Sequence, residues 1–289
     1  MIKQLLILAA LCAMASGCTF LPPRPYIDLA KRTPTPVDPE VDRILSEWQK
    51  RRAGAKTVAA KCKVAFEKSE GQDPEVHEGL FRCRHSSSIQ FSMDGDCILL
   101  WTPKNEFWTI DTVKKAADVV EFDKPYLNDF MKGTEFVWFS PVDKITLQKH
   151  GLIRKVSEDA ATIVLAVKNA KRADDLDGSY ESLTVHLRKP DLLPIKLVTR
   201  GGLDATWEFS ELRENIDLKD ADFLPPDLGP QGKIGRRRFI SPVEAPKKPA
   251  SETTHTWPIY PNSSLDTHGS KLPMQVKQGR QWGHTASSF

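Results

Sequence analysis

Short runs in which apolar and polar residues alternate fill the middle of this chain, and turn residues separate them. The stretch 89–93 alternates in this way before the turn 94–96, and the stretch 182–188 repeats the pattern later. A period of two with turns between the runs is typical of antiparallel strands that bury one face. The sequence therefore predicts one large antiparallel sheet. Its predicted strands are 62–67, 79–85, 89–93, 97–101, 107–110, 161–168, 182–188, 193–199 and 206–212.

A single longer helix is predicted just before the first strand. Asp38 is a suitable N-cap and Pro39 a suitable first helical residue. Apolar residues then recur at positions 41, 44, 45 and 48, which places them on one face of about four helical turns. We expect that face to pack on the sheet.

The first eighteen residues have the layout of a secretory signal peptide. Lys3 supplies a positive charge, residues 5–14 are an unbroken apolar run, and small residues follow at 15–17. The run is about half the roughly 20 residues that a membrane-spanning helix needs. The sequence therefore predicts export rather than a permanent transmembrane helix.

The end of this segment, Ala15-Ser16-Gly17-Cys18, resembles a bacterial lipobox. The resemblance implies cleavage before Cys18 and acylation of that cysteine, which would anchor the chain to a membrane by its N-terminal lipid. Thr19, where an aspartate would favour the inner membrane, implies the periplasmic face of the outer membrane. The alternative is an ordinary signal peptide with an incidental cysteine near its cleavage site.

Proline and charge divide the chain into four parts. Thirteen of the 21 prolines lie in residues 19–42 or 229–289, and the last 61 residues hold nine basic against three acidic side chains. Such flanks are typical of extended or disordered segments. The predicted parts are a signal peptide (1–17), a lipid-anchored Pro-rich linker (18–38), a folded β domain (39–228) and a basic, Pro-rich disordered tail (229–289).

Three cysteines lie in the predicted domain, and export would permit a disulfide among them. If the loop between the first two strands is symmetric, Cys62 faces Cys83, and we predict that these two residues form the bond. The alternative is that Cys62, Cys83 and Cys97 are small buried thiols.

Four segments together resemble the bacterial lipoprotein-carrier superfamily, the LolA/LolB-like proteins. They are the glycine-led strand 78–84, the strand 88–91, the Gly-Asp to Trp-Thr-Pro hairpin 95–103 and the closing Asp-Phe-Leu-Pro-Pro at 222–226. The resemblance spans about residues 39–228 and implies a half-open barrel capped by helices, with an apolar cavity for acyl chains and no catalytic residues. The body cysteines and the long tail depart from the family pattern.

An apolar cavity of this kind would be lined by apolar and aromatic side chains. The same side chains could equally form a closed core, since an inward face has the same sequence whether it is full or hollow. The candidate cavity residues are Phe66, Phe81, Phe91, Trp101, Trp108, Trp138, Trp207 and Phe209.

Other chemistries have little support in the sequence. The histidines do not have metal-ligand spacing, and no nucleophile elbow or phosphate loop is present, so we predict no metal, cofactor or catalytic residue. The acidic stretch 173–178 lacks the first and last ligands of a calcium loop, and we interpret it as a solvated turn. The three arginines 236–238 either contact anionic headgroups or solubilise the tail, and nucleic acid is an improbable partner for an exported chain.

The predicted function is that of a lipid-anchored envelope protein, not an enzyme, that sequesters an apolar ligand such as an acyl chain or the lipid of a lipoprotein. Burial of apolar surface, at about 25 cal/mol per Å², would drive binding. The alternative is an envelope scaffold with a filled core, acting through its tail or a sheet edge.

Overall fold

The computed structural model describes residues 27–68, 72–173, 175, 179–202 and 204–239, with side chains through residue 236. The helices are α1 (Pro39–Arg52), α2 (Leu127–Lys132) and α3 (Lys144–Gln148), with 3-10 turns at Leu29–Lys31, Glu135–Phe139 and Asp220–Phe223. The strands are β1 (Thr57–Phe66), β2 (Glu75–Arg84), β3 (Ser88–Met93), β4 (Cys97–Trp101), β5 (Glu106–Asp111), β6 (Ala116–Phe122), β7 (Leu152–Glu158), β8 (Thr162–Lys168), β9 (Ser182–Arg188), β10 (Leu193–Arg200), β11 (Ala205–Glu214) and β12 (Lys233–Phe239).

All the strands belong to one sheet in the order β12-β6-β5-β4-β3-β2-β1-β11-β10-β9-β8-β7. Neighbouring strands are antiparallel except β12, which runs parallel to β6. The strands at the two ends, β7 and β12, are not neighbours, so the sheet curls without closing. The prediction of a mainly β, α+β protein with a half-open meander and an N-terminal helix is confirmed.

Helix α1 begins and packs as its sequence predicts. The side chain of Asp38 accepts a hydrogen bond of 2.8 Å from the Val41 amide, which caps the helix. The apolar face of α1, including Ile44, Leu45 and Trp48, is fully buried. No helix in the described part of the chain is long and apolar enough to cross a membrane.

The larger hydrophobic core lies on one face of the sheet, which we call the inner face. Helix α1 and the segment 123–150 between β6 and β7 contribute to this core. A smaller core lies on the opposite, outer face of β4 to β6, where Phe223 is fully buried with Trp108 and Val119. The sheet therefore has one large and one small apolar face.

The folded part extends beyond the predicted limits of 39 and 228. Residues 27–38 already pack on the domain, with Ile27 fully buried. Residues 233–239, predicted to be part of a disordered tail, form β12, because their backbone groups pair with β6. The remainder of the predicted tail, and the signal peptide with Cys18, lie outside the described residues.

The predicted disulfide is wrong because the register of the first hairpin differs from the symmetric one. Cys62 lies opposite Gly79, and Cys83 lies opposite Val58, four positions further along the ladder. Cys62, Cys83 and Cys97 are all buried free thiols. Burial raises the pKa of Cys62 and of Cys83 to about 12, so both thiols stay protonated.

Gly79 is the residue of β2 that cannot carry a side chain. A Cβ built there would lie 1.6 Å from the carbonyl oxygen of Ser92 on β3. We expect Gly79→Ala to lower the free energy of unfolding by about 1–3 kcal/mol, since backbone must move. Gly54→Ala is the matched control, because a Cβ there meets nothing within 4 Å. Urea unfolding of both variants tests this, and equal losses would contradict the close approach of β2 and β3.

Candidate functional site

The predicted cavity residues divide between the two faces of the sheet. All eight are buried, and seven of them belong to the inner-face core. Trp108 lies instead in the outer-face core, where the guanidinium of Arg236 stands 5.4 Å from its ring centre. The structure therefore brings seven of the predicted residues together and separates Trp108 from them.

Phe81 occupies the centre of the inner-face aromatic group. Its ring centre lies 4.7 Å from that of Phe91 and 5.9 Å from that of Phe209. Two further neighbours, Phe136 at 6.1 Å and Phe139 at 5.1 Å, come from the segment between β6 and β7. Rings at these separations are in packing contact. This part of the inner face is therefore filled by the protein's own side chains.

The 3-10 turn Glu135–Phe139 supplies these additional rings, and we call it the plug. All five of its residues are buried. Phe136 lies among β-strand aromatics, with ring centres 4.9 Å from Phe91 and 5.1 Å from Trp207. Trp138 lies against Trp48 of α1 at 5.6 Å. The plug thus occupies the place where a cavity was predicted.

The sequence prediction missed Phe136 and Phe139, although it included Trp138. The signal that could have found them is the run of four apolar residues at 136–139, three of them aromatic. Such a run outside the sheet must be buried against something. Its target on β2, β3 and β11 depends on contacts distant in sequence.

A second aromatic group lies on the same face nearer β6 and α2. The ring of Trp101 stacks on that of Phe122 at 4.9 Å, and Phe122 stacks on Tyr126 at 5.4 Å. Phe107 and Phe130 also lie within 6 Å of Trp101. The apolar inner face is therefore continuous from β11 to β6.

A carboxyl group is buried at the start of the plug. Glu135 is 2% exposed, and its Oε2 has no hydrogen-bond partner among the described residues. Loss of hydration on burial raises the pKa of Glu135 to about 7. The plug therefore combines strongly apolar side chains with one group that is poorly satisfied in its present position.

Next to the plug, a buried histidine and tyrosine form a hydrogen-bonded pair. His150 Nδ1 lies 2.6 Å from the Tyr180 hydroxyl, and His150 Nε2 lies 2.8 Å from the Lys132 carbonyl oxygen. The carbonyl can only accept, so Nε2 carries the proton and Nδ1 accepts from Tyr180. Burial lowers the pKa of His150 to about 4, consistent with this neutral ring.

The acidic stretch predicted to be a solvated turn contains a buried ion pair. The side chain of Asp175 is 1% exposed and lies 2.5 Å from the guanidinium of Arg32. The interpretation of this stretch as solvated is therefore wrong for Asp175. The cause is Arg32 in the predicted linker, whose packing on the domain was not expected.

Among the described residues, no group of three or more His, Cys, Asp or Glu side chains is arranged to hold a metal ion. A pocket of about 340 Å³ opens on the outer face between β1, β2, β11 and residues 216–222. It carries equal numbers of positive and negative side chains, so its charge favours neither an anion nor a cation. The charged residues that line it are Lys61, Arg82, Arg213, Glu211, Asp217 and Asp222.

No protein-family model matches the sequence, and no curated protein matches it. Several solved structures are similar at low identity. An uncharacterized conserved protein from Thermus thermophilus is 12% identical, with a TM-score of 0.42 over 68% of this chain and 99% of that one. LprF from Mycobacterium bovis is 12% identical, with a TM-score of 0.28 over 65% and 97% of the two chains. A LolA superfamily protein from Nitrosomonas europaea is 9% identical, with a TM-score of 0.31 over 64% and 97%. The superfamily that the sequence pattern resembles is thus represented among the similar structures.

Proposed function

We propose that this protein binds an apolar chain, such as the acyl chain of a lipid or lipoprotein, on the inner face of its sheet. The observation that carries the proposal is the cover of that face. A short plug supplies aromatic rings to a continuous apolar surface on an open sheet. A short segment can move aside without breaking the sheet, so the face can be exposed to a ligand.

The energetics of such an exchange are close to balanced. An acyl chain that replaces Phe136 and Phe139 restores the burial of apolar area on the sheet, at about 25 cal/mol per Å². Movement of the plug also returns the Glu135 carboxylate to water, which removes the cost of burying it. Binding would therefore need little free energy beyond that of the contacts exchanged.

Anchoring at Cys18 and a site at the periplasmic face of the outer membrane belong to the same proposal. They are supported by the signal-peptide layout and by the lipobox-like residues 15–18. More than one acyl chain on Cys18 would hold the protein firmly at a membrane. We further propose that the protein is not an enzyme, since sequestration alone accounts for an apolar surface.

A scaffold with a permanently filled core is the second candidate. The observation in its favour is the close packing of Phe81, Phe91 and Phe136, whose ring centres are 4.7 to 6.1 Å apart. In that case the protein would act through its tail or through a sheet edge. The two candidates differ in whether the plug can be displaced.

Native mass spectrometry of the exported chain carrying Cys18→Ser, purified without detergent, tests the proposal. This variant has no acyl chain of its own at Cys18, so a bound lipid would be a ligand. A lipid that is retained, or taken up on addition at one per chain, is expected. An unchanged mass after addition of a long-chain fatty acid would favour the scaffold.

Removal of the central plug ring should make binding easier to detect. We expect Phe136→Ala to increase the affinity for a fluorescent long-chain fatty acid at least tenfold, because the ring that occupies the apolar face is gone. Trp108→Ala is the matched control, since it removes a buried ring from the outer face. Equal affinities in the two variants and the parent would contradict displacement of the plug.

A further inference from the structure

Residues 27–35, which we call the strap, are attached to both ends of the segment that carries the plug. The amide of Ile27 donates to the Gly133 carbonyl at 3.0 Å, just before the plug. The amide of Thr35 donates to the Gln148 carbonyl at 3.0 Å, after the plug. The fully buried Ile27 side chain adds apolar contact. The strap and the plug segment are therefore held together at two separate points.

Arg32 fastens the middle of the strap. Its guanidinium donates to Asn169 Oδ1 at 2.6 Å and to Asp175 Oδ2 at 2.5 Å. The side chains of Arg32 and Asp175 are only 7% and 1% exposed. A buried pair of this kind is costly to break from one side, because the remaining charge is left without a partner. Arg32 is therefore the strongest single attachment of the strap.

A chain of hydrogen bonds connects Arg32 to the plug segment. The Asn169 side chain donates to the Tyr180 carbonyl at 2.7 Å. The Tyr180 hydroxyl and the His150 ring then continue the chain to the Lys132 carbonyl, one residue before Gly133. The strap thus meets the same short backbone stretch directly through Ile27 and indirectly through Arg32.

We propose that the strap is a latch: its Arg32 contacts hold the plug on the inner face, and their loss frees the plug for ligand entry. This inference rests on the proposed function, because it assigns the regulation of the same site. A plug that carries the unsatisfied Glu135 carboxyl needs attachments elsewhere to stay closed. The strap supplies them from the side of the chain that leads to Cys18.

The position of the strap connects this latch to the membrane end of the chain. Ile27 is nine residues after Cys18, and an extended chain spans at most about 3.6 Å per residue. If Cys18 is anchored, the start of the strap lies within about 32 Å of the anchored atom. A change in the tether would therefore act first on the strap.

Hydrogen exchange of the full chain, read by mass spectrometry, tests the latch without any ligand. In Arg32→Ala we expect amides of residues 133–142 to exchange at least tenfold faster, while β1 and β2 keep their parent rates. Arg52→Ala is the control, since it removes an equally buried arginine whose partners are Glu214 and the Asp191 carbonyl. Equal acceleration in both variants, or none in Arg32→Ala, would overturn the proposal.

Thr35→Pro provides a milder variant if Arg32→Ala does not fold. It removes the amide that donates to Gln148 and leaves every side-chain contact of Arg32 in place. Faster exchange at 133–150 in this variant is expected, and unchanged exchange counts against the latch. Binding of the fluorescent fatty acid is measured in parallel. Faster exchange without any binding would keep the latch and reject the lipid-binding function.

Discussion

Phe81→Ala is expected to lower the free energy of unfolding by about 3–5 kcal/mol, the range typical of a buried phenylalanine. Phe81 is fully buried, and its ring lies close to Phe91, Phe139 and Phe209. Its removal leaves a cavity bordered by both the sheet and the plug. Equilibrium unfolding in urea at fixed pH measures the loss.

Leu80→Ala is the matched control, since Leu80 is the adjacent residue of β2 and is 41% exposed on the other face. We expect this variant to lose less than about 1 kcal/mol. A loss at Phe81 as small as that at Leu80 would mean that the ring borders open space. The filled inner face described above would then be wrong, and a standing cavity would be favoured.

Glu135→Gln is expected to stabilise the protein at high pH and to have little effect at low pH. Burial raises the pKa of Glu135 from its ordinary 4.5 to about 7. Between these values the folded state holds a proton that the unfolded state has lost, so the carboxyl destabilises the fold increasingly as pH rises. The variant should therefore exceed the parent by about 3 kcal/mol above pH 7, since each pKa unit corresponds to about 1.4 kcal/mol.

The difference between parent and variant isolates this effect from other groups. The lowered pKa of His150, about 4, acts in the opposite direction, because its stabilisation is lost as pH falls below 6.5. That contribution is common to both proteins and cancels. Unfolding curves at pH 4.5, 6 and 8 suffice, with Glu78→Gln on the exposed side of β2 as control. A constant difference across these pH values would contradict the burial of Glu135.

These two variants also bear on function through the plug. Phe81 measures how tightly the plug rings are packed on the sheet, and Glu135 measures how poorly the plug is satisfied there. A tightly packed plug without a pH-dependent penalty would favour the scaffold. A plug with that penalty would favour displacement by a ligand.

The sequence alone determined the β-rich class, the helix over 39–52 and several strand positions. The predicted strand 182–188 agrees with β9, and 193–199 is one residue shorter than β10. Both features follow from local periodicity, since alternation and helical spacing depend on neighbours in the chain. Strand β6 was missed because it follows the turn at 112–115 without a clear alternation.

Only the tertiary structure decided the register of β1 on β2, which places Gly79 rather than Cys83 opposite Cys62. It also decided that the plug fills the inner face, that Arg32 buries Asp175, and that residues 233–239 join the sheet beside β6. Each of these depends on contacts between residues far apart in sequence, where local patterns allow several partners of similar quality. Packing and hydrogen bonding across the whole domain select one of them.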